Sequence, residues 1–260
     1  MELKQVKYDV QDAIARISIN SPKTMNAINT PIINELYEAF QAAEADESVK
    51  VIVLTGEGKA FCAGGDLGSM KVQLDDGSID LAAMMECSAQ LPLAMKRSAK
   101  PIIASVKGAA AGAGFSLALC CDFCFAAENT QFMEAFVKVG LLPDTGGIYA
   151  LARAVGDLKA AQLCMTGEAI DAATAKELGI VYKVVPEEEL DAAVAKFAAR
   201  LAKGPSNCYK SIKELEWEIG WTGYEKYLEK EIALQVECGK SPNFREGVEA
   251  FLEKRKAEFV

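Results

Sequence analysis

Histidine is absent from all 260 residues. That excludes Ser-His-Asp and Cys-His nucleophile systems and any zinc site with imidazole ligands. Proton transfer near neutral pH must fall to a carboxylate, Lys, Tyr or Cys. Positive charge is short too: 28 Lys and Arg face 37 Asp and Glu, a formal net charge of −9. Nucleic-acid and anionic-membrane partners need clustered cations, so neither is expected, although a local basic patch for a phosphorylated ligand remains open. Long apolar runs are missing as well. Lys107 and Asp122 interrupt the most apolar segment, 101–127. The stretch between them is shorter than the ~20 residues a membrane span requires, so a buried strand–helix–strand is expected. Met1-Glu-Leu-Lys-Gln leads into no apolar core of a signal peptide. With eight cysteines mostly inside apolar runs, free buried thiols in a reducing cytoplasm are expected. Cys121-Asp-Phe-Cys124 has C-x-x-C spacing, but there is no second pair and the flanks read as buried strand, so it is read as packing.

About half of the chain is apolar and a quarter charged, the balance of a globular domain. Residues 12–20 alternate and run into Asn-Ser-Pro, a strand and turn. Thr30-Pro31 opens a helix, with Thr30 as the N-cap and Ile32, Ile33, Leu36, Tyr37 and Phe40 at helical spacing. The β-branched run 49–55 is a buried strand, and further strands are expected at 101–106, 123–127 and 180–185. Helices follow around 157–165 and 171–178, with Asp171 as N-cap and Gly179 as stop. From Glu187 onward the pattern is helical, broken at Gly204-Pro205, Gly220, Gly239 and Ser241-Pro242. The chain therefore reads as an α/β core over 1–195 with a helical appendage over 196–260. The appendage is rich in apolar positions and needs a surface to cover, on the core or on another subunit.

Two glycine-rich loops and one acidic turn stand out. Lys59-Ala-Phe-Cys-Ala-Gly-Gly-Asp-Leu67 follows the strand 49–55, and its glycines let backbone N–H groups approach a ligand. As an ordinary turn, the same segment would use Asp66 only as a helix cap. Gly108-Ala-Ala-Ala-Gly-Ala-Gly114 follows the strand 101–106 and leads into a small-residue helix, whose N-terminus carries unpaired N–H groups. Its spacing departs from the dinucleotide fingerprint. Downstream lies Gly140-Leu-Leu-Pro-Asp-Thr-Gly-Gly147, with Asp144 at the turn. Backbone donors and one carboxylate suffice to form and reprotonate an enolate.

Taken in order, these segments resemble the enoyl-CoA hydratase/isomerase, or crotonase, family. The likeness also runs through Ser21-Pro-Lys-Thr-Met-Asn-Ala-Ile28, Lys100-Pro-Ile-Ile-Ala-Ser-Val-Lys-Gly108, Leu163-Cys-Met-Thr-Gly167 and the Arg245–Lys256 segment, and it covers essentially the whole chain. The resemblance implies a crotonase-like spiral of ββα turns with C-terminal helices that build homo-trimers or hexamers. It implies an acyl-CoA thioester substrate, with coenzyme A as part of the substrate and no other cofactor or metal. It also implies an oxyanion hole on the N–H groups of Ala63 and Ala113. Ala27, Lys59, Gly64, Asp66 and Leu67 fall at substrate-binding positions. Phe251 and Lys254 match residues that, in the family, reach the CoA of a neighbouring subunit.

The departures matter most. The two catalytic glutamates of the family's hydratases match Ser116 and Phe136, and neither can serve as their base. Asp144 is the replacement. Its turn resembles that of the isomerase branch containing 1,2-epoxyphenylacetyl-CoA isomerase, where an acid at this position is the base. The resemblance thus implies an isomerase: Asp144 takes a proton from C2 of a 3-enoyl-CoA and returns it at C4, beside an apolar wall that includes Phe136. Two alternatives stay open, a hydratase using Asp144 and Glu134 with water and a non-catalytic acyl-CoA-binding protein. Met70, Leu74, Met84 and Met85 are either acyl-pocket lining or plain core.

Overall fold

Strict β-branched and apolar runs decide the centre of the molecule. In the computed structural model, which describes residues 2–260, Val51–Gly56 (β3), Ile102–Val106 (β4) and Phe123–Ala127 (β6) are parallel and almost wholly buried. The hairpin Val6–Gln11 (β1) and Ile14–Ile19 (β2) extends one edge, and Lys183–Val185 (β9) closes the other. The sheet order is β1-β2-β3-β4-β6-β9, with only the β1–β2 pair antiparallel. A smaller sheet joins Ala109–Ala111 (β5), Gln131–Met133 (β7) and Ile170–Asp171 (β8) in the order β5-β7-β8.

Alternation along the strands sends side chains to two layers. Val51, Val53, Ile103 and Phe125 meet Leu190, Val194, Phe197 and Leu201 of α8 (Leu190–Ala202). Ile52, Leu54, Ile102 and Ala104 meet the opposite layer, where Thr30–Ala45 (α1) packs on Leu81–Arg97 (α3). The other helices are Leu67–Asp76 (α2), Ala113–Cys120 (α4), Gly147–Val155 (α5), Asp157–Thr166 (α6), Ala172–Glu177 (α7), Ser206–Gly220 (α9), Tyr224–Lys240 (α10) and Pro242–Leu252 (α11). None of the helices among the described residues is long and apolar enough to cross a membrane.

The strand expected over 12–20 is the second arm of a hairpin whose turn, Asp12-Ala13, has positive φ at both residues. The first arm is missed because only Val6 is buried in it. Thr30 is not the cap of α1. Asn29 is, with its side chain accepting from Ile32 N at 3.0 Å. Asp171 caps α7 through Thr174 N at 2.8 Å, as expected. Gly239 does not break the tail; it lies inside α10, close against Leu81. The division at 195/196 falls inside α8, whose buried face belongs to the main sheet. Cys121 and Cys124 are buried and unbridged.

Asp122 fastens the tail to this core. Its carboxylate accepts from Ile102 N at 2.8 Å and from Lys213 Nζ of α9 at 2.6 Å. The Lys213 and Asp122 side chains are only 9% and 17% exposed, so losing the ammonium strands a largely buried anion. Lys213→Met is expected to lower stability by about 1–3 kcal/mol in urea denaturation, and Asp122→Asn in that background to recover part of the loss.

Candidate active site

Parallel strands deliver their loops at the same end of the sheet, where ligand crevices form in open α/β folds. Here the loops after β3 and β4 are stitched together by their backbones. Phe61 N donates to Lys107 O at 2.8 Å, Cys62 N to Ala109 O at 3.0 Å and Ala111 N to Cys62 O at 2.9 Å. Gly114 makes the contact possible, because a Cβ there would lie 2.6 Å from that of Cys62. This stitching brings Ala63 and Ala113 to one cavity of about 400 Å³.

The two expected backbone donors differ. Ala113 opens α4, so its N–H has no acceptor in the helix, and none is found elsewhere among the described residues. Ala63 N is engaged by the Met25 carbonyl at 3.0 Å. Ala27, Gly64, Asp66, Leu67, Phe136 and Phe251 also line the cavity, with Phe136 packed over Gly112. Met70, Met84 and Met85 line it too, whereas Leu74 packs into the core outside it.

Other expected residues lie elsewhere. Ser116 is fully buried behind the wall, its hydroxyl donating to Gly112 O at 3.3 Å. Lys59 and Lys254 are exposed and outside the lining. Phe251 borders the cavity of its own chain, where α11 packs on α2 and the 3-10 turn Ala135–Val139. Glu134 is also outside the lining. It is buried next to Ser116 and Gly147, and neither of its carboxyl oxygens has a partner. Burial pushes its pKa far up, with the charges of Asp144 and Glu231 adding to the effect.

Two carboxylates line the cavity. Asp66 is occupied as the cap of α2, accepting from Ser69 N at 3.1 Å and Ser69 Oγ at 2.7 Å. Asp144 is the other. Burial raises its pKa to about 6, against two hydrogen bonds that favour the anion. These come from Gln235 Nε2 to Oδ2 at 2.9 Å and from Thr145 Oγ1 to Oδ1 at 2.8 Å. The sequence reading missed Gln235 and Glu231, both buried on α10. Their signal was available: with Tyr224 and Leu228 they occupy the buried face of an amphipathic helix, where an unexplained polar residue marks a partner.

A family model described as enoyl-CoA hydratase/isomerase matches residues 9–260. The chain belongs to the enoyl-CoA hydratase/isomerase family. The trans-2-decenoyl-(acyl-carrier-protein) isomerase of Streptococcus mutans is 39% identical over 261 residues, covering 100% of this chain and 99% of that protein. The 1,2-epoxyphenylacetyl-CoA isomerase of Escherichia coli is 34% identical, with 96% of each chain covered. Among solved structures, an enoyl-CoA hydratase from Mycobacterium avium subsp. paratuberculosis superposes with a TM-score of 0.91 at 32% identity, covering 100% of both chains. Members of this enoyl-CoA hydratase/isomerase family with both kinds of activity thus share the fold, and the site residues must discriminate between them.

The Asp144 pKa has a consequence for stability. Its folded value, about 6, lies above the ordinary 3.8, so the native state holds the proton more tightly than the unfolded chain does. Stability from this group therefore falls as pH rises from about 4 to about 6, and the full cost, on the order of 2–3 kcal/mol, persists above that range. The stability of Asp144→Asn relative to the parent protein is expected to climb across pH 4–6 and level off above pH 7 in urea titrations.

Proposed function

We propose that this enzyme shifts a double bond in an acyl thioester, converting a 3-enoyl-CoA to the 2-enoyl-CoA. The observation that carries this reading is a single desolvated carboxylate, Asp144, in an apolar cavity whose other acid, Asp66, is spent on a helix cap. The substrate carbonyl oxygen takes the free Ala113 N–H. It takes that of Ala63 by sharing it with, or displacing, the Met25 carbonyl. Polarisation acidifies C2–H, and Asp144 accepts that proton. The electron pair moves into a dienolate, and the same proton returns at C4, leaving the conjugated alkene. No atom is gained or lost, and one base serves both steps. Phe136 keeps water from the intermediate.

Hydration is the competing reading, since hydratases are among the relatives. It needs acids that hold a water, and Glu134 lies outside the cavity wall. The carrier is a further question, because the relative from Streptococcus mutans is named for an acyl-carrier-protein thioester. Both carriers present the same thioester to the cavity, so offering 3-decenoyl groups on each separates them. We also read the exposed α9 face of Ile212, Leu215 and Ile219 as a subunit contact.

Asp144→Ala is expected to lower kcat for 3-enoyl-CoA isomerisation by about 10²–10⁴-fold while leaving saturated acyl-CoA affinity within a few-fold. Crotonyl-CoA should keep its conjugated absorbance with the parent enzyme. Rapid loss of that absorbance, or undiminished isomerisation in the variant, would overturn the proposal. The acid limb of kcat/KM is expected near pH 6, where the carboxylate loses its proton.

A further inference from the structure

The turn that carries Asp144 is unusual. Thr145, a β-branched residue, has φ of +59°, and Gly146 follows at +73°. β-branched residues rarely enter this region, and such a turn persists only where its surroundings over-determine it. Those surroundings come from one face of α10, far along the chain. Gln235 Oε1 accepts from Leu142 N at 3.0 Å, and its Nε2 donates to Leu142 O at 2.9 Å and to Asp144 Oδ2 at 2.9 Å. Both of its amide hydrogens are therefore committed. Reversing the amide would set donor against donor and acceptor against acceptor at Leu142, so only the N–H end can face the carboxylate. One helical turn earlier, Glu231 Oε1 accepts from Gly146 N at 3.0 Å. Gly146 has no room for a side chain, because the Tyr224 hydroxyl fills the Cβ position. The residues Tyr224, Glu231 and Gln235 thus grip the turn on both sides of Asp144.

We propose that the Gln235 amide, with Glu231 one turn before it, is the positioning device of Asp144: it holds the carboxylate at the cavity wall and stabilises its anionic form. This rests on Asp144 being the base of the isomerisation. A neutral donor suits that role. It favours the anion enough to offset part of the burial, whereas a Lys or Arg partner would make the carboxylate too weak a base. No Lys or Arg bonds Asp144 among the described residues. The titratable groups facing it are Glu134, from the stretch after β7, and Glu231 of α10. Tyr224 and Tyr227 of α10, Cys120 of α4 and Cys164 of α6 surround those two acids. Burial, reinforced by the Asp144 charge, holds Glu231 protonated at neutral pH, with a pKa raised to about 8.

The test reads the Asp144 carboxyl directly, by carbon-13 NMR titration of the full-length protein, with the resonance assigned through Asp144→Asn. Gln235→Met keeps the side-chain length and removes the donors. Gln235→Ala removes the amide without adding a charge, so it serves if Gln235→Met fails to fold. In either variant the Asp144 pKa is expected to rise by about one pH unit, and the acid limb of kcat/KM to move with it. KM should stay within about twofold, since Gln235 lies outside the cavity lining. An unmoved Asp144 titration in a folded variant overturns the proposal, as does a loss of activity whose pH profile is unchanged. The titration needs no turnover. A moved pKa beside full activity in Asp144→Asn would therefore count against the base assignment alone.

Discussion

Backbone pairing between the loop after β3 and the short strand β5 is the constraint on which the site depends. Three hydrogen bonds, Phe61 to Lys107, Cys62 to Ala109 and Ala111 to Cys62, join two loops that the main sheet alone would leave side by side. Each is worth only about 1 kcal/mol net, but together they fix the register between Ala63 and Ala113. The small sheet extends that register, because β5 pairs with β7 and Gly112 N is held by Met133 O at 2.8 Å. The cavity, the helix N-terminus and the aromatic wall of Phe136 all inherit their positions from this seam.

Against that frame three carboxyl side chains are buried among the described residues, those of Glu134, Asp144 and Glu231. Burial disfavours every charge, and like charges disfavour the second and third most. The group with the best donors keeps its charge. Asp144 has two side-chain donors, Glu231 one backbone donor and Glu134 none. The raised pKa values follow that order, and this ranking, not the mere presence of acids, sets Asp144 apart from its neighbours. Keeping Asp144 charged in a dry wall costs stability, because its folded pKa lies above that of the unfolded chain.

The C-terminal helices do more than cover the core. α11 places Phe251 over the chain's own cavity, and α10 supplies the amide and the acid that grip the Asp144 turn. α9 is anchored through Lys213 to Asp122 at the start of β6. Side chains far from the site in sequence therefore decide how its carboxylate is held.

Sequence by itself determined the α/β class, the buried strands β3, β4 and β6, the two glycine loops and the acidic turn that carries Asp144. Those features are written in local composition: β-branched runs, glycines where backbones must meet, and a Pro-Asp-Thr-Gly-Gly turn. The short strands β5, β7 and β8 were not legible, because two or three residues carry no periodicity. The exposed edge strand β1 was missed because it has almost no buried face to show. Only the tertiary structure decided that Glu134 faces away from the cavity, that the Met25 carbonyl occupies Ala63, and that Gln235 and Glu231 reach the acidic turn. These depend on contacts between segments tens of residues apart, where packing and desolvation rather than local preference set what each group meets.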